Sequence, residues 1–237
     1  MIVGLPTDPV GSYLYEPAYS VDRVLRGTPR PYVPQPGDVM LATNNKIRPK
    51  IGHDLALAFE PHHSAIVLAR PDGSPALLEA GPFDTLWIHV MDLLPHLQRY
   101  SEIGPVWIRK RKTPLTVEQS ERLTAFCMRQ DGKRFAIQRL GLQLTPFRPR
   151  GPLRTAFVGK PHGDRRTYYC AELVMESCIA AGLVDPETAR PSATYPHDLF
   201  FDKSFNPYIN RHLPLACDWE PPARWLGCRE GEVPAEP

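Results

Sequence analysis

The chain has 237 residues, 42% of them hydrophobic and 23% charged, which is enough for one sizeable domain with a real core. Its formal net charge of +2 is too small to argue for nucleic acid through electrostatics. No run approaches the roughly 18–20 apolar residues that a helical membrane span needs.

The 28 prolines cluster in 5–36, 145–161, 186–196 and 206–237, and each fixes φ and removes a backbone donor. Residues 1–35, rich in Pro, Gly and Tyr, read as an ordered N-terminal arm on the domain. Their tyrosines (Tyr13, Tyr15, Tyr19, Tyr32) exceed what a disordered tail carries. The domain proper is placed at 36–202. A turn at Pro36-Gly37-Asp38 feeds a strand over Val39–Ala42; 43–62 look irregular, with a helical turn over Asp54–Phe59. Ser64–Arg70 is apolar on both faces and reads as a central strand. The turn Pro71-Asp72-Gly73-Ser74 leads to a second member of the hairpin, Ala76–Ala80. Leu86–Val90 reads as a further strand, Met91–Arg99 as a short helix limited by Pro95, and Val106–Arg109 as another strand. The basic run Arg109-Lys110-Arg111-Lys112 reads as a solvated strand end, with an anion-binding role as the other reading.

Thr116-Val117-Glu118-Gln119 matches a capping box, and Leu123, Phe126 and Cys127 follow at helical spacing, so a helix is predicted to end near Gly132. Phe135–Leu144 reads as one more element and 145–167 as loop. Cys170–Ala181 reads as a helix burying Ala171, Val174, Met175, Cys178 and Ile179, with Gly182 just past its end in the left-handed conformation. Residues 186–237 read as loop, the last of them, 203–237, as a Pro-rich C-terminal tail.

No basic leader with a long apolar stretch follows Met1, so no signal peptide is expected and the cytoplasm is the expected compartment. Five cysteines, an odd number without metal-type pairing, suit a reducing environment. His53, His62 and His63 lack a standard zinc spacing and have no cysteine beside them. No metal and no cofactor are expected, and nothing here bears on the oligomeric state.

A cysteine that opens a helix has chemical value. Unpaired N–H groups and the positive end of the macrodipole favour its thiolate, and the same donors can hold an oxyanion. Cys170 stands there, followed by Ala171. Cys127 and Cys178, inside apolar stripes, read as core. A thiol nucleophile needs a histidine base, and the base an orienting acceptor. His62 and His63 open the central strand and point to opposite faces, so only one can serve. Glu79 lies across the hairpin, with Asp84 as a second acceptor candidate. Glu172 is expected to be structural, in the first turn of the helix. Tyr168 and Tyr169 are candidates for lining a cleft or aiding the oxyanion, with packing as the other reading.

These residues carry a resemblance. Pro36-Gly37-Asp38-Val39-Met40 resembles the opening "GD-apolar" strand of the YiiX/YebB-like permuted NlpC/P60 family. His63-Ser64-Ala65-Ile66-Val67 is similar to its histidine strand, Leu77-Leu78-Glu79-Ala80 to its acidic strand, and Val106-Trp107-Ile108-Arg109 to a later strand ending in arginine. Tyr168-Tyr169-Cys170-Ala171-Glu172-Leu173-Val174 resembles its "YCSELV" nucleophile motif. The order His, acid, Cys is the permuted one. Ala171 replaces the usual Ser, Ala65 stands where Gly is common, and the segments before 36 and after 202 fall outside the likeness.

The resemblance implies an α+β, circularly permuted papain-like (NlpC/P60) fold, a central antiparallel sheet with the nucleophile helix packed on it. It implies a thiol hydrolase with Cys170 as nucleophile, His63 as base and Glu79 as orienting acceptor, acting through an acyl-enzyme. The expected activity is that of a cysteine peptidase or amidase on a peptide-like or acylated small substrate. A lecithin:retinol acyltransferase-like lipid acyltransferase or lipase is the alternative, against which the lack of a membrane segment or basic amphipathic helix counts. A non-catalytic binding domain of the same fold is the third reading, against which an intact Cys-His-Glu set counts.

Overall fold

A computed structural model describes residues 11–21, 24–43, 59–82, 85–137, 155, 159–203 and 215–228. Among them the strands are β1 (Ser12–Pro17), β2 (Arg30–Pro31), β3 (Val39–Ala42), β4 (His63–Ala69), β5 (Pro75–Ala80), β6 (Ile88–Asp92), β7 (Val106–Arg109), β8 (Arg134–Phe135), β9 (Thr167–Tyr168) and β10 (Ala223–Gly227). Eight form one sheet in the order β2-β1-β10-β7-β3-β4-β5-β6, antiparallel at every pairing. β8 and β9 make a parallel pair of two residues each. The helices are α1 (Leu93–Ile103), α2 (Val117–Gln130), α3 (Cys170–Ala180) and α4 (Pro196–Phe201). The architecture is mixed α+β, built on one large antiparallel sheet. Among the described residues no helix is long and apolar enough to cross a membrane.

The period of two along the strands decides the layers. Val39, Leu41, Ile66, Leu68 and Leu78 face α2 and α3, meeting Leu123, Phe126, Val174, Met175 and Cys178. Met40, Ala42, Ala65, Val67 and Leu77 face the other way, onto Leu93, Leu97 and Tyr100 of α1. The sheet is therefore covered on both sides, which is why its middle strands read as unbroken apolar runs. Cys127 and Cys178 lie in the core as expected, and burial pushes each thiol up to about 12.

Local signals act where they stand. Thr116 accepts from the Gln119 N–H at 3.2 Å while the Thr116 N–H donates to Gln119 Oε1 at 3.0 Å, closing the capping box that starts α2. Gly182 has φ +73°. The Gly182 and Leu183 N–H groups donate to Ile179 and Cys178 at 2.9 and 2.8 Å, the paired bonds of a Schellman motif ending α3.

Four readings are corrected. The sixth strand lies at Ile88–Asp92 rather than Leu86–Val90, and α1 runs over Leu93–Ile103 rather than Met91–Arg99. Pro95 does not limit α1, because it is the third residue of the helix, where a missing N–H costs no intrahelical bond. The basic run is not a solvated strand end: Arg109 and Arg111 are buried. Arg109 donates to the carbonyls of Leu199 and Glu220 at 2.9 and 3.1 Å, and the Arg111 guanidinium lies 4.3 Å from the Trp219 ring centroid.

The sheet also takes in strands from outside 36–202. β1 and β2 come from the 1–35 segment and β10 from 203–237. β10 covers the free edge of β7 and β1 covers β10, and Trp225 Nε1 donates to Ser12 Oγ at 2.7 Å. An exposed β7 edge would leave a row of unpaired backbone groups. The helical turn expected at Asp54–Phe59, the element at Phe135–Leu144 and much of the 145–167 loop lie, for the most part, outside the described residues.

Candidate active site

The turn before α3 is held by its own first-turn carboxylate. Glu172 is fully buried; its Oε2 accepts the Tyr169 N–H at 3.1 Å and its Oε1 accepts Arg165 Nη1 at 2.9 Å. Tyr169 stays extended (φ −83°, ψ 163°), and Cys170 becomes the first helical residue. Its sulfur lies 4.0 Å from the His62 carbonyl oxygen, at the end of the sheet where β4 begins.

Burial alone would raise the Cys170 pKa. A hydrogen bond with His63, the charge of His63, and the backbone N–H groups of Ser64 and Ala171 outweigh it, and the thiol sits below its ordinary value. These are the interactions expected to make a thiolate at a helix N-terminus.

His63 is the first residue of β4, and Glu79 on β5 stands opposite Ala65. The His63 and Glu79 side chains are thus diagonal neighbours on one face of the sheet. His63 Nε2 lies 2.6 Å from Glu79 Oε1. Burial would lower the His63 pKa, but the Glu79 charge and the bonds to Cys170 and Glu79 raise it to about 10. Burial would likewise raise the pKa of Glu79; His63 and His96 bring it down to about 2.

Two residues of this cluster escaped the sequence reading. His96 Nε2 lies 2.5 Å from Glu79 Oε2, and the Tyr100 hydroxyl donates to Glu79 Oε1. The Tyr100 ring also lies nearly parallel to the His63 imidazole, 5.6 Å between centroids at 15°. The signal was in the chain: Leu93, His96, Leu97 and Tyr100 form one helical stripe, all buried, and two polar aromatic residues on an apolar stripe demand partners.

The remaining candidates are placed as follows. His62 is buried, and the Cys170 sulfur lies 4.0 Å from its carbonyl oxygen. Tyr168 is fully buried; its hydroxyl donates to the Gly163 carbonyl and accepts the Arg165 N–H, both at 2.6 Å. It fastens the loop before β9 instead of lining a cleft. Tyr169 meets Phe135 edge-on, with centroids 6.0 Å apart. His53 and Asp84 lie outside the described residues. Among the described residues no group of three or more His, Cys, Asp or Glu side chains is arranged to hold a metal ion.

An activated thiol, an imidazole beside it and N–H donors around the sulfur can together attack a carbonyl carbon. No protein-family model matches this chain, and no curated protein does. Among solved structures the chain is similar to the metalloprotein yiiX from Escherichia coli O157:H7, with 20% identity and a TM-score of 0.43, over 63% of this chain and 67% of that one.

Proposed function

We propose that the protein is a thiol hydrolase that cleaves an amide or a related acyl bond through an acyl-cysteine intermediate, on a circularly permuted papain-like frame. One arrangement supports this reading: Cys170 opens α3 with its sulfur 4.0 Å from the His62 carbonyl oxygen at the start of β4, and on that strand His63 Nε2 is 2.6 Å from the buried Glu79.

The steps follow from those positions. The Cys170 thiolate attacks the carbonyl carbon, and the Ala171 N–H with its neighbours at the helix start holds the oxyanion. The tetrahedral intermediate collapses as imidazolium His63 gives its proton to the leaving amine, breaking the C–N bond and leaving a thioester. His63, now neutral, takes a proton from water as the water oxygen attacks the thioester. The acid is released and the thiolate–imidazolium pair is restored. Glu79 keeps the imidazole plane and tautomer through both halves.

The test uses p-nitrophenyl acetate as an acyl donor. The expected result is a burst of p-nitrophenolate with one acetyl group on the peptide containing Cys170, read by mass spectrometry. Cys170→Ser should lose the burst and His63→Ala should slow it by at least about a hundredfold. A panel of N-acyl p-nitroanilides then asks for amide cleavage, and an added alcohol acceptor asks whether the acyl group goes to water or to a hydroxyl. A wild-type protein that never acylates at Cys170, or does so equally in His63→Ala, overturns the reading.

A further inference from the structure

We propose that His96 and Tyr100 are positioning residues of this site: α1 clamps Glu79 from the side of the sheet opposite α3 and so sets the plane of the His63 imidazole. The inference rests on the thiol-hydrolase reading and extends it to a helix that contributes nothing to the nucleophile.

Three observations converge on the clamp. Glu79 is fully buried and meets a different side chain at each turn: His63 and the Tyr100 hydroxyl at Oε1, His96 at Oε2. A buried carboxylate needs its lone pairs satisfied, and donors on both oxygens remove its freedom to rotate. Tyr100 then acts twice. Its hydroxyl shares Oε1 with His63, while its ring lies 15° from parallel to the imidazole. Turning the His63 ring out of plane would break the approach to Oε1 and the stacking together. Finally, His96 and Tyr100 are held against each other, with centroids 5.1 Å apart and rings edge-on at 73°, one turn apart on α1 and 6% and 4% exposed.

A core helix with only packing to do fills such positions with Leu or Phe, as α1 does at Leu93 and Leu97. Here two of the four buried positions direct their polar atoms to one carboxylate. The other titratable groups near Glu79 are accounted for. His89, its cross-strand partner on β6, lies 3.6 Å from Asp131, and Cys170 reaches Glu79 only through His63. The line of contact runs from α1 through Glu79 and His63 to Cys170, across the end of the sheet. Its consequence is a ring whose Nε2 stays against Glu79 before any substrate arrives, which is preorganisation of the base.

The experiment measures the rate of Cys170 alkylation by iodoacetamide against pH, by mass spectrometry of the labelled peptide, in wild type, His63→Ala, Tyr100→Phe, His96→Phe and His96→Gln. Tyr100→Phe keeps the stacked ring and loses only the hydroxyl; His96→Gln keeps a donor. The acidic limb of the profile should move up by about one pH unit in Tyr100→Phe and His96→Phe, roughly a tenfold slower reaction at pH 6. His96→Gln should restore most of it. In one-dimensional proton NMR the downfield N–H resonance of a histidine bonded to a carboxylate should broaden or vanish in Tyr100→Phe.

A role in packing alone would lower the melting temperature and leave the limb where it is. Folded Tyr100→Phe protein with an unmoved limb and an unchanged resonance overturns the inference, and this variant decides the matter if His96→Phe does not fold. The two readings fail separately. Wild-type Cys170 that labels no faster than Cys217, with no effect of His63→Ala, sinks the hydrolase reading; a normal wild type and a responsive His63→Ala with silent α1 variants sinks only the clamp.

Discussion

Glu79 on β5 and Glu176 on α3 are both buried carboxylates, and their pKa values move in opposite directions. Burial acts to raise both. Glu79 faces two imidazoles and falls to about 2. Glu176 accepts only the backbone N–H groups of His162 and Gly163, at 2.8 and 3.2 Å. With Glu172 one turn away adding a like charge, it rises to about 7. What differs between the two regions is the strength of the opposing charge: two imidazoles lie within 2.6 Å of Glu79, whereas the charge of Arg165 and the backbone dipoles lower Glu176 too little to offset burial and the like charge of Glu172. The first arrangement keeps a charge in place across the working pH range; the second holds a loop with a group that gains and loses its proton near neutrality.

The largest effect that would sharpen this contrast is on stability. Glu79→Ala leaves His63 and His96 facing each other without their shared acceptor, and urea denaturation at pH 7 should show a loss of about 3–5 kcal/mol. The folded pKa of Glu79 lies below its unfolded value, so its contribution is present above about pH 4.5 and lost as pH falls towards 2. For His63, raised to about 10, the contribution is complete below about pH 6.5 and lost as pH rises through 10. A Glu79→Ala protein as stable as wild type would break the comparison.

Next comes the reactivity of the thiol at the far end of the same line. In His63→Ala, alkylation of Cys170 at pH 6 should slow on the order of a hundredfold, because the thiolate loses its imidazolium and its pKa returns towards the free value of about 8.5. His62→Ala should leave the rate near wild type, since the contact of Cys170 with that residue is to its backbone carbonyl, which alanine keeps. Cys127 and Cys178 should stay unlabelled in the folded protein throughout.

For Glu176 the sign reverses. Its folded pKa is above the unfolded value, so the folded chain binds more protons between about pH 4.5 and 7, and stability declines as pH rises through that window. Glu176→Gln should remove the slope and leave the protein more stable at pH 8 by about 2 kcal/mol relative to its own value at pH 5, compared with wild type. The smallest effect expected is that of Tyr168→Phe. Losing a hydroxyl bonded to Gly163 and Arg165 should cost about 1 kcal/mol in thermal or urea unfolding. Iodoacetamide labelling of Cys170 should not change; if it did, Tyr168 would have more than a fastening role.

The parts that sequence reading located rest on contacts between residues close along the chain. The start of α3 at Cys170, the β4–β5 hairpin across Pro71-Asp72-Gly73-Ser74 and the cap at Thr116 each depend on a few neighbouring residues and the period of one element. His63 and Glu79 were within reach for the same reason, being diagonal positions of one hairpin. His96 and Tyr100 were not, because their meaning depends on α1 lying over the face that carries Glu79, which no local pattern states. β2 has two residues, and β1 and β10 contain prolines or lie beside them. Their membership of the sheet is decided by the edge of β7.

By itself, then, the chain determined β3, β4, β5, β7 and α2 and that a thiol would open α3, since backbone propensity, capping and hydrophobic period act over a few residues. Only the tertiary structure decided that the chain's two end segments would complete one sheet. It decided too that Arg109 would be buried by carbonyls arriving 90 and 111 residues later, and that a second histidine and a tyrosine would share the acid. Those outcomes depend on which surfaces must be covered and which buried charges satisfied once the elements meet, and such demands exist only between parts of the chain that are distant in sequence.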